Sequence, residues 1–180
     1  MTLEDLWAGW RSQYVTSASG PDLSSESAGP AEALVDDPAH CVFCRIAASG
    51  PPSPENGVLR VGAVTLAVLN AYPYASGHLM VMPIRHVRSL GDLTEDEASE
   101  LWSALRQGAA ALEEAYSPEG INLGANLGRA AGAGIPRHLH LHAVPRWVGD
   151  TNFMTAVANT RVLPEALDAS WERLHRVWPA

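Results

Sequence analysis

The hydrophobic and polar positions of this chain change their period several times, and each period predicts an element. Three short runs in the middle of the chain are mostly apolar and rich in Val and Leu: Val58 to Val61, Val64 to Leu69 and Gly77 to Ile84. Runs of this length, bounded by turn residues, predict β-strands. Two further strands are predicted, at 121–127 and from His138 onward, with a loop rich in Gly and Ala at 128–134 between them.

A long amphipathic helix is predicted before the last two strands. Thr94-Glu95-Asp96-Glu97 forms a capping box, in which a hydroxyl and a carboxylate satisfy exposed main-chain N–H groups. The acidic run from Glu95 to Glu100 is interpreted as charge that complements the helix dipole. The helix is expected to end at Ser117-Pro118. Its apolar residues recur at steps of three and four: Ala98, Leu101, Trp102, Leu105, Ala109, Leu112 and Tyr116.

The order of elements predicts an α+β domain with a mainly antiparallel sheet of about five strands, one long helix and terminal helices. Short connections favour antiparallel pairing of neighbouring strands. The domain is assigned to residues 40–150, after an N-terminal helix and flexible linker at 1–39. A C-terminal extension at 151–180 is expected to contain a helix after Pro164, with Leu167, Trp171, Leu174 and Trp178 on one stripe.

Charge and composition narrow the classes of function. The chain has 180 residues and a net charge of −8, from 12 arginines and 20 acidic residues, with no lysine. This balance argues against nucleic-acid binding, although a small phosphate ligand needs only a local site. The lack of lysine excludes a Schiff-base mechanism. No apolar stretch is long enough to span a membrane, and the acidic N-terminus lacks the basic region of a signal peptide, so a cytoplasmic location is expected.

The most informative chemistry is a row of histidines at two-residue spacing, His138, His140 and His142, among seven histidines in the chain. In a β-strand this spacing points three imidazoles to the same face. A strand does not need such a row to fold, so the row indicates a functional site. Metal binding, nucleophilic attack on phosphorus and proton transfer all suit it, and spacing alone does not choose among them.

The two cysteines form a single Cys41-Val42-Phe43-Cys44 motif. A structural disulfide is not expected in a cytoplasmic protein. A redox motif of this spacing normally lies at a helix start after a strand, whereas this one follows a Pro-rich linker. With histidines elsewhere in the chain, zinc is the favoured ligand.

Several separate motifs lie around the row in a specific order. The row itself, His138 to Arg146, alternates histidine with apolar residues. Upstream are Leu69-Asn70, Ser76-Gly77-His78-Leu79-Met80-Val81-Met82-Pro83, Arg85-His86 and Asn126-Leu127-Gly128. In this order and spacing, residues 41–147 resemble the histidine-triad (HIT) superfamily of nucleotide hydrolases and transferases. Three further features, the Gly/Ala loop at 128–134, the Pro-Arg-Trp at 145–147 and the residues at 149–154, are similar to the branch that phosphorolyses dinucleoside polyphosphates such as Ap4A.

The resemblance implies a HIT-like fold, a homodimer with two sheets joined across the axis, and a covalent mechanism. His140 falls on the position that attacks the α-phosphorus and carries the nucleotidyl group. His142 and His78 fall on positions that hold the transferring phosphate. Nucleotide contacts are implied for Asn70 at the ribose, for Asn126 on the phosphate side, and for main-chain N–H groups of the loop that contains Gly134 and Ile135.

The resemblance also implies a structural zinc site, because branches with the CxxC motif use it for this purpose. The four implied ligands are Cys41, Cys44, His86 and His138. A Cys₂His₂ set closes a tetrahedral site and leaves no open position for catalysis. On this interpretation the first histidine of the row is a metal ligand and the second is a nucleophile.

One stretch departs from the family pattern. Most relatives have Gly-Gln-Ser/Thr-Val shortly before the row, where this chain has Gly134-Ile135-Pro136-Arg137. Phosphate contacts are then expected from the main chain, from Arg137 or from another chain. The favoured function is nucleotidyl transfer from a dinucleoside polyphosphate to inorganic phosphate. The alternatives are hydrolysis of the same substrates or of nucleotide phosphoramidates, and a nucleotide-binding or repurposed protein without this turnover.

Overall fold

A computed structural model describes residues 37–150 and 165–179. Within them, five strands form one antiparallel sheet in the order β1-β2-β3-β5-β4. The predicted α+β fold is confirmed. Residues 1–36 of the predicted N-terminal helix and linker, and 151–164 of the C-terminal extension, lie outside the described residues. The strands are β1 (Val58–Val61), β2 (Thr65–Leu69), β3 (Leu79–Pro83), β4 (Gly120–Gly124) and β5 (Leu141–Arg146).

Two apolar clusters lie on opposite faces of the sheet, because successive side chains of a strand point to opposite sides. Along β3, Leu79 and Val81 join the cluster under the long helix α2 (Glu95–Tyr116), while Met80 and Met82 join the other. That second cluster is covered by the short helix α1 (Val42–Ala47) through Phe43. The domain therefore has three layers, and α1 lies on the face opposite α2.

The capping box of α2 is confirmed, but two acidic residues near its start do more than complement the dipole. Glu97, 4% exposed, accepts hydrogen bonds from Nε and Nη2 of Arg85 at 2.8 and 2.7 Å. Glu100 accepts from the main-chain N–H groups of Val64 and Thr65, at 3.2 Å each. These carboxylates tie the helix start to the β1–β2 turn and to the segment after β3. At the other end, Ser117 adopts the left-handed conformation and terminates the helix.

The predicted C-terminal helix is present as α3 (Leu167–Val177), and it packs on its own chain against α2 and β1. Leu174 is fully buried. Trp171 donates from Nε1 to the main-chain oxygen of Val58 at 2.6 Å, and Nδ1 of His175 lies 3.1 Å from that of Leu59. His175 is exposed, and its ring stacks on that of Trp171 at 4.3 Å between centroids. No helix among the described residues is long and apolar enough to cross a membrane.

The strand that carries the histidines is shorter than predicted. Its ladder with β3 begins at Leu141, and the residues before it make other hydrogen bonds. The side chain of His138 lies 2.9 Å from the main-chain oxygen of Pro83, and Leu139 donates its N–H to Val87 at 2.6 Å. Strand 121–127 is also shorter than predicted, since β4 ends at Gly124 and leaves Asn126 in a loop. A short 3₁₀ helix, Arg129–Ala131, interrupts the loop that follows.

Candidate active site and metal site

His140 is held in one tautomer by the main chain. Its Nδ1 lies 2.7 Å from the carbonyl oxygen of His138, which can only accept a hydrogen bond. The ring proton is therefore on Nδ1, and Nε2 keeps its lone pair. Burial, with 5% of the residue exposed, lowers the pKa of His140 below its usual value, so the imidazole is neutral near pH 7. A neutral imidazole with a free Nε2 lone pair is a competent nucleophile.

His142 and His78 form a second hydrogen-bonded pair beside it. The ring centroids of His140 and His142 are 5.0 Å apart, and Nε2 of His78 lies 3.0 Å from Nδ1 of His142. The main-chain N–H of Tyr74 donates to Nδ1 of His78 at 3.0 Å. His78 must then carry its proton on Nε2 and donate it to His142. Neutral His142 in turn has its proton on Nε2, where it can donate to a phosphate oxygen.

Tyr74 is a site residue that the sequence analysis missed. Besides its N–H bond, its ring lies 4.7 Å from the ring of His78 and 6.2 Å from that of His142, between centroids. The only sequence signal was an aromatic residue after Pro73, inside a turn that leads to His78. That turn is closed by Asn70, whose Oδ1 accepts from Tyr72 N–H at 2.9 Å. Asn70 therefore shapes this turn, and its side-chain amide nitrogen also lies 3.4 Å from Nδ1 of His78.

The remaining predicted nucleotide-binding residues lie in the loop between β4 and β5. Asn126 and Gly134 are half-buried. Ile135 packs against the apolar cluster on the α1 face. Its side chain therefore belongs to the core and not to a polar surface, and only the main chain of Gly134 and Ile135 remains available for an anion.

The four predicted metal ligands come together in space. One ligand atom from each of Cys41, Cys44, His86 and His138 lies within 4.8 Å of the others. Cys41 is the N-cap of α1 and Cys44 is three residues later, so one helical turn places both thiols on one side. Sγ of Cys41 is 3.3 Å from Nδ1 of His138, and Sγ of Cys44 is 3.3 Å from Nδ1 of His86.

The protonation of His138 suits metal binding. Its Nε2 lies 2.9 Å from the carbonyl oxygen of Pro83, so Nε2 carries the proton and the Nδ1 lone pair points to the cysteines. Burial lowers the pKa of His138 to about 4, which keeps the ring neutral. Burial also raises the pKa of the Cys44 thiol to about 11 in the absence of a metal, whose charge favours the thiolate. This set of two sulfurs and two imidazoles, buried at Cys41 and His138, matches the donors that Zn²⁺ prefers.

Three findings compare the chain with known proteins. The HIT domain family model matches residues 57–148. An AP-4-A phosphorylase of Mycobacterium tuberculosis is 37% identical over 177 residues, which cover 98% of this chain and 85% of that protein. An uncharacterized HIT-like protein of Saccharolobus solfataricus is 30% identical over 115 residues, 63% of this chain and 79% of that protein.

A solved structure extends the likeness to three dimensions. The crystal structure of a Zn-bound histidine triad family protein from Mycobacterium smegmatis superimposes with a TM-score of 0.63 at 25% identity. The match covers 79% of this chain and 95% of that one. The likeness extends over most of the described domain.

Proposed function

The chain belongs to the HIT domain family, and on that premise we propose that it transfers a nucleotidyl group from a dinucleoside polyphosphate to inorganic phosphate. The observation that carries the proposal is the bond between Nδ1 of His140 and the carbonyl of His138, which leaves Nε2 of His140 free to attack. The 37% identity to an AP-4-A phosphorylase, over nearly the whole chain, supports the choice of substrate class.

The proposed reaction has two displacements at the α-phosphorus. In the first, Nε2 of His140 forms a bond to phosphorus, the bond to the bridging oxygen breaks, and the remaining nucleotide leaves. The carbonyl of His138 holds the Nδ1 proton and stabilises the positive charge that develops on the ring. In the second, an oxygen of inorganic phosphate attacks the same phosphorus, the P–N bond breaks, and a nucleoside diphosphate is released.

The neighbouring residues are proposed to bind and orient the nucleotide. His142 donates from Nε2 to a phosphate oxygen, and His78 fixes the tautomer that allows this. Asn70 is proposed at the ribose hydroxyls, since an amide can both donate and accept. Asn126 and the main-chain N–H groups of Gly134 and Ile135 are proposed on the phosphate side.

The acceptor decides between a phosphorylase and a hydrolase. Diadenosine tetraphosphate is incubated with the protein, with and without inorganic phosphate, and the products are separated by ion-exchange chromatography. ADP and ATP that form only with phosphate support the proposal. AMP and ATP in both reactions make the protein a hydrolase, and binding without product makes it a nucleotide-binding protein.

The covalent step has its own test. Denaturation during turnover should trap a nucleotidyl group on His140, which mass spectrometry of peptides locates. His140→Asn should abolish the adduct and reduce turnover by several orders of magnitude. His40→Ala is the matched control, because His40 is an exposed histidine whose side chain hydrogen-bonds to Asp37 and is not part of the histidine cluster. An adduct that persists in His140→Asn would assign the nucleophile to another residue.

We further propose that Cys41, Cys44, His86 and His138 hold a structural Zn²⁺ ion. Nε2 of His86 is buried without a hydrogen-bond partner among the described residues, so its ring has freedom to reorient toward a metal. The ion would join α1, the segment after β3 and the start of the histidine row. Because His138 supplies the carbonyl that orients His140, the metal would also stabilise the nucleophile.

A homodimer is proposed from family membership and from the exposed edge of the sheet. β4 is an edge strand with four of its five residues exposed, including Leu123. An uncovered edge with an apolar side chain favours pairing with another strand. Analytical ultracentrifugation of the wild type and of Leu123→Glu tests this proposal: a wild-type dimer that dissociates in the variant supports it, and a wild-type monomer contradicts it.

A further inference from the structure

A pocket lined by three arginines lies next to the histidine row. It has a volume of about 380 Å³ and is lined by Arg88, Arg129 and Arg137 together with main chain and apolar groups that include Gly128 and Pro136. No acidic residue lines it among the described residues. In a chain with a net charge of −8, three guanidinium groups around one concave surface create a local site for an anion.

Two of these guanidinium groups are uncommitted within the described structure. Arg88 and Arg129 are exposed and make no ion pair or side-chain hydrogen bond with residues 37–150 or 165–179. By contrast, Arg85 and Arg146 are each fixed by a carboxylate, of Glu97 and Asp150 respectively. Guanidinium groups that converge on a pocket and remain available favour planar, bidentate contacts with phosphate.

The pocket walls are directly connected to the proposed nucleophile and phosphate loop. Arg88 follows Val87, whose carbonyl accepts the N–H of Leu139 at 2.6 Å, between His138 and His140. Arg137 immediately precedes the row. At Gly128, on the third side of the pocket, the main-chain carbonyl accepts a hydrogen bond from the N–H of Ala133 at 3.3 Å. A ligand in this pocket therefore lies against the same segments that position His140.

The loop before the row lacks side chains that could bind the phosphates, so other residues must supply these contacts. Gly134, Ile135 and Pro136 have no side-chain donor, Pro136 also has no main-chain N–H, and Ile135 is used in the core. Arg137 is the first residue after this stretch whose side chain can bind a phosphate. At Gly128, a Cβ atom would meet no other atom within 4 Å, so the pocket wall is open there to an approaching ligand.

We propose that this arginine pocket binds the phosphates beyond the transferred nucleotidyl group. The shared ligand chemistry is a phosphate oxyanion from either of two sources: the distal phosphates of the dinucleoside polyphosphate, or the inorganic phosphate that replaces them after the first displacement. The inference rests on the proposed function. It makes Arg88, Arg129 and Arg137 determinants of substrate and acceptor specificity, and they form no bond to the reacting phosphorus.

Binding is tested without any turnover, by isothermal titration of the full chain with inorganic tripolyphosphate and with inorganic phosphate. We expect the wild type to bind tripolyphosphate, and Arg88→Ala and Arg129→Ala each to weaken binding about tenfold or more, as expected for loss of a charged hydrogen bond. The matched control is Arg106→Ala, which removes an exposed arginine of α2 outside the pocket and changes the net charge equally. Unchanged thermal unfolding shows that the variants are folded.

Kinetics separate the two sources. A rise in KM for diadenosine tetraphosphate locates its distal phosphates in the pocket, and a rise in KM for inorganic phosphate locates the acceptor there. Each result supports the inference. Hydrolysis of an AMP nitrophenyl ester, which has no distal phosphates, should stay within about threefold of wild type in the pocket variants.

Two results would overturn the inference: tripolyphosphate binding and both KM values as in wild type, or equal losses on the nitrophenyl ester and the tetraphosphate. Failure of the proposed function is a different observation, namely a wild-type protein that forms no nucleotidyl-histidine from any of these substrates. The titration with tripolyphosphate is measured independently of that outcome.

Discussion

The Nε2 atom of His78 lies 3.0 Å from Nδ1 of His142, and in this hydrogen bond His78 is the donor and His142 the acceptor. Because the N–H of Tyr74 already donates to Nδ1 of His78, the proton between the two rings belongs to His78. His142 thus presents an Nε2–H group to the site, next to the lone pair of His140. The two neighbouring histidines of the row therefore have opposite hydrogen-bonding character toward a phosphate.

This arrangement predicts different effects for two substitutions of His78. His78→Leu removes the donor and releases the tautomer of His142, so kcat should fall about 10- to 100-fold. In His78→Gln, the amide N–H can replace Nε2–H as donor, so more activity should remain. Steady-state kinetics of the two variants check this, and equal losses would mean that His78 acts only by filling space.

Loss of the metal should destabilise the domain. We expect about one Zn²⁺ per chain by elemental analysis, and a chelator or Cys44→Ser should lower the midpoint of thermal unfolding by roughly 10 °C or more. His40→Ala, at an exposed histidine next to Cys41, should retain the metal and the midpoint. A metal-free protein with the same midpoint as the loaded one would contradict the structural role.

The stability of the fold at acid pH should depend on Glu97. Two hydrogen bonds from Arg85, with further bonds to Thr94, lower the pKa of Glu97 from 4.5 to about 2. A lowered pKa stabilises the fold above pH 4.5, and this stabilisation is lost as the pH falls from 4.5 towards 2. Glu97→Gln should lower the unfolding midpoint by a few degrees at pH 7 and flatten its pH dependence in that window.

Scanning calorimetry from pH 2 to pH 7 measures both effects of Glu97→Gln. Glu95→Gln is the control, since Glu95 lies in the same first turn of α2 but is exposed. A parallel loss of stability at pH 2 and pH 7 in Glu97→Gln would rule out the ionised pair as the cause.

Gly77 should tolerate no side chain. Its φ is +82°, and a Cβ atom there would lie 2.6 Å from Cε2 of Tyr116. Gly77→Ala should cost about 1–3 kcal/mol of unfolding free energy and also reduce kcat, since Gly77 directly precedes His78. Gly124→Ala, where no atom lies within 4 Å, should be nearly neutral in urea unfolding. Equal free energies for the two variants would contradict the prediction.

Much of the fold could be predicted from local patterns. The capping box at Thr94 and the apolar run of β3 are properties of neighbouring residues, and both are confirmed. The apolar period of α2 is confirmed at Leu101, Leu105 and Leu112, which are buried. It is wrong at Trp102, which is 59% exposed. The start of β5 was predicted too early, at His138. The bonds that replace the ladder there come from Pro83 and Val87, about 50 residues away, and no local pattern contains them.

The order of residues is enough to show which groups this protein has: a histidine row, a CxxC motif, and a loop without hydroxyl or amide side chains before the row. The hydrogen-bonding role of each histidine ring depends on the folded chain. The protons on His138, His140 and His142 are assigned by contacts with Pro83, the His138 main chain and His78. A tautomer depends on which acceptor or donor lies within 3 Å, and chain folding alone creates that proximity.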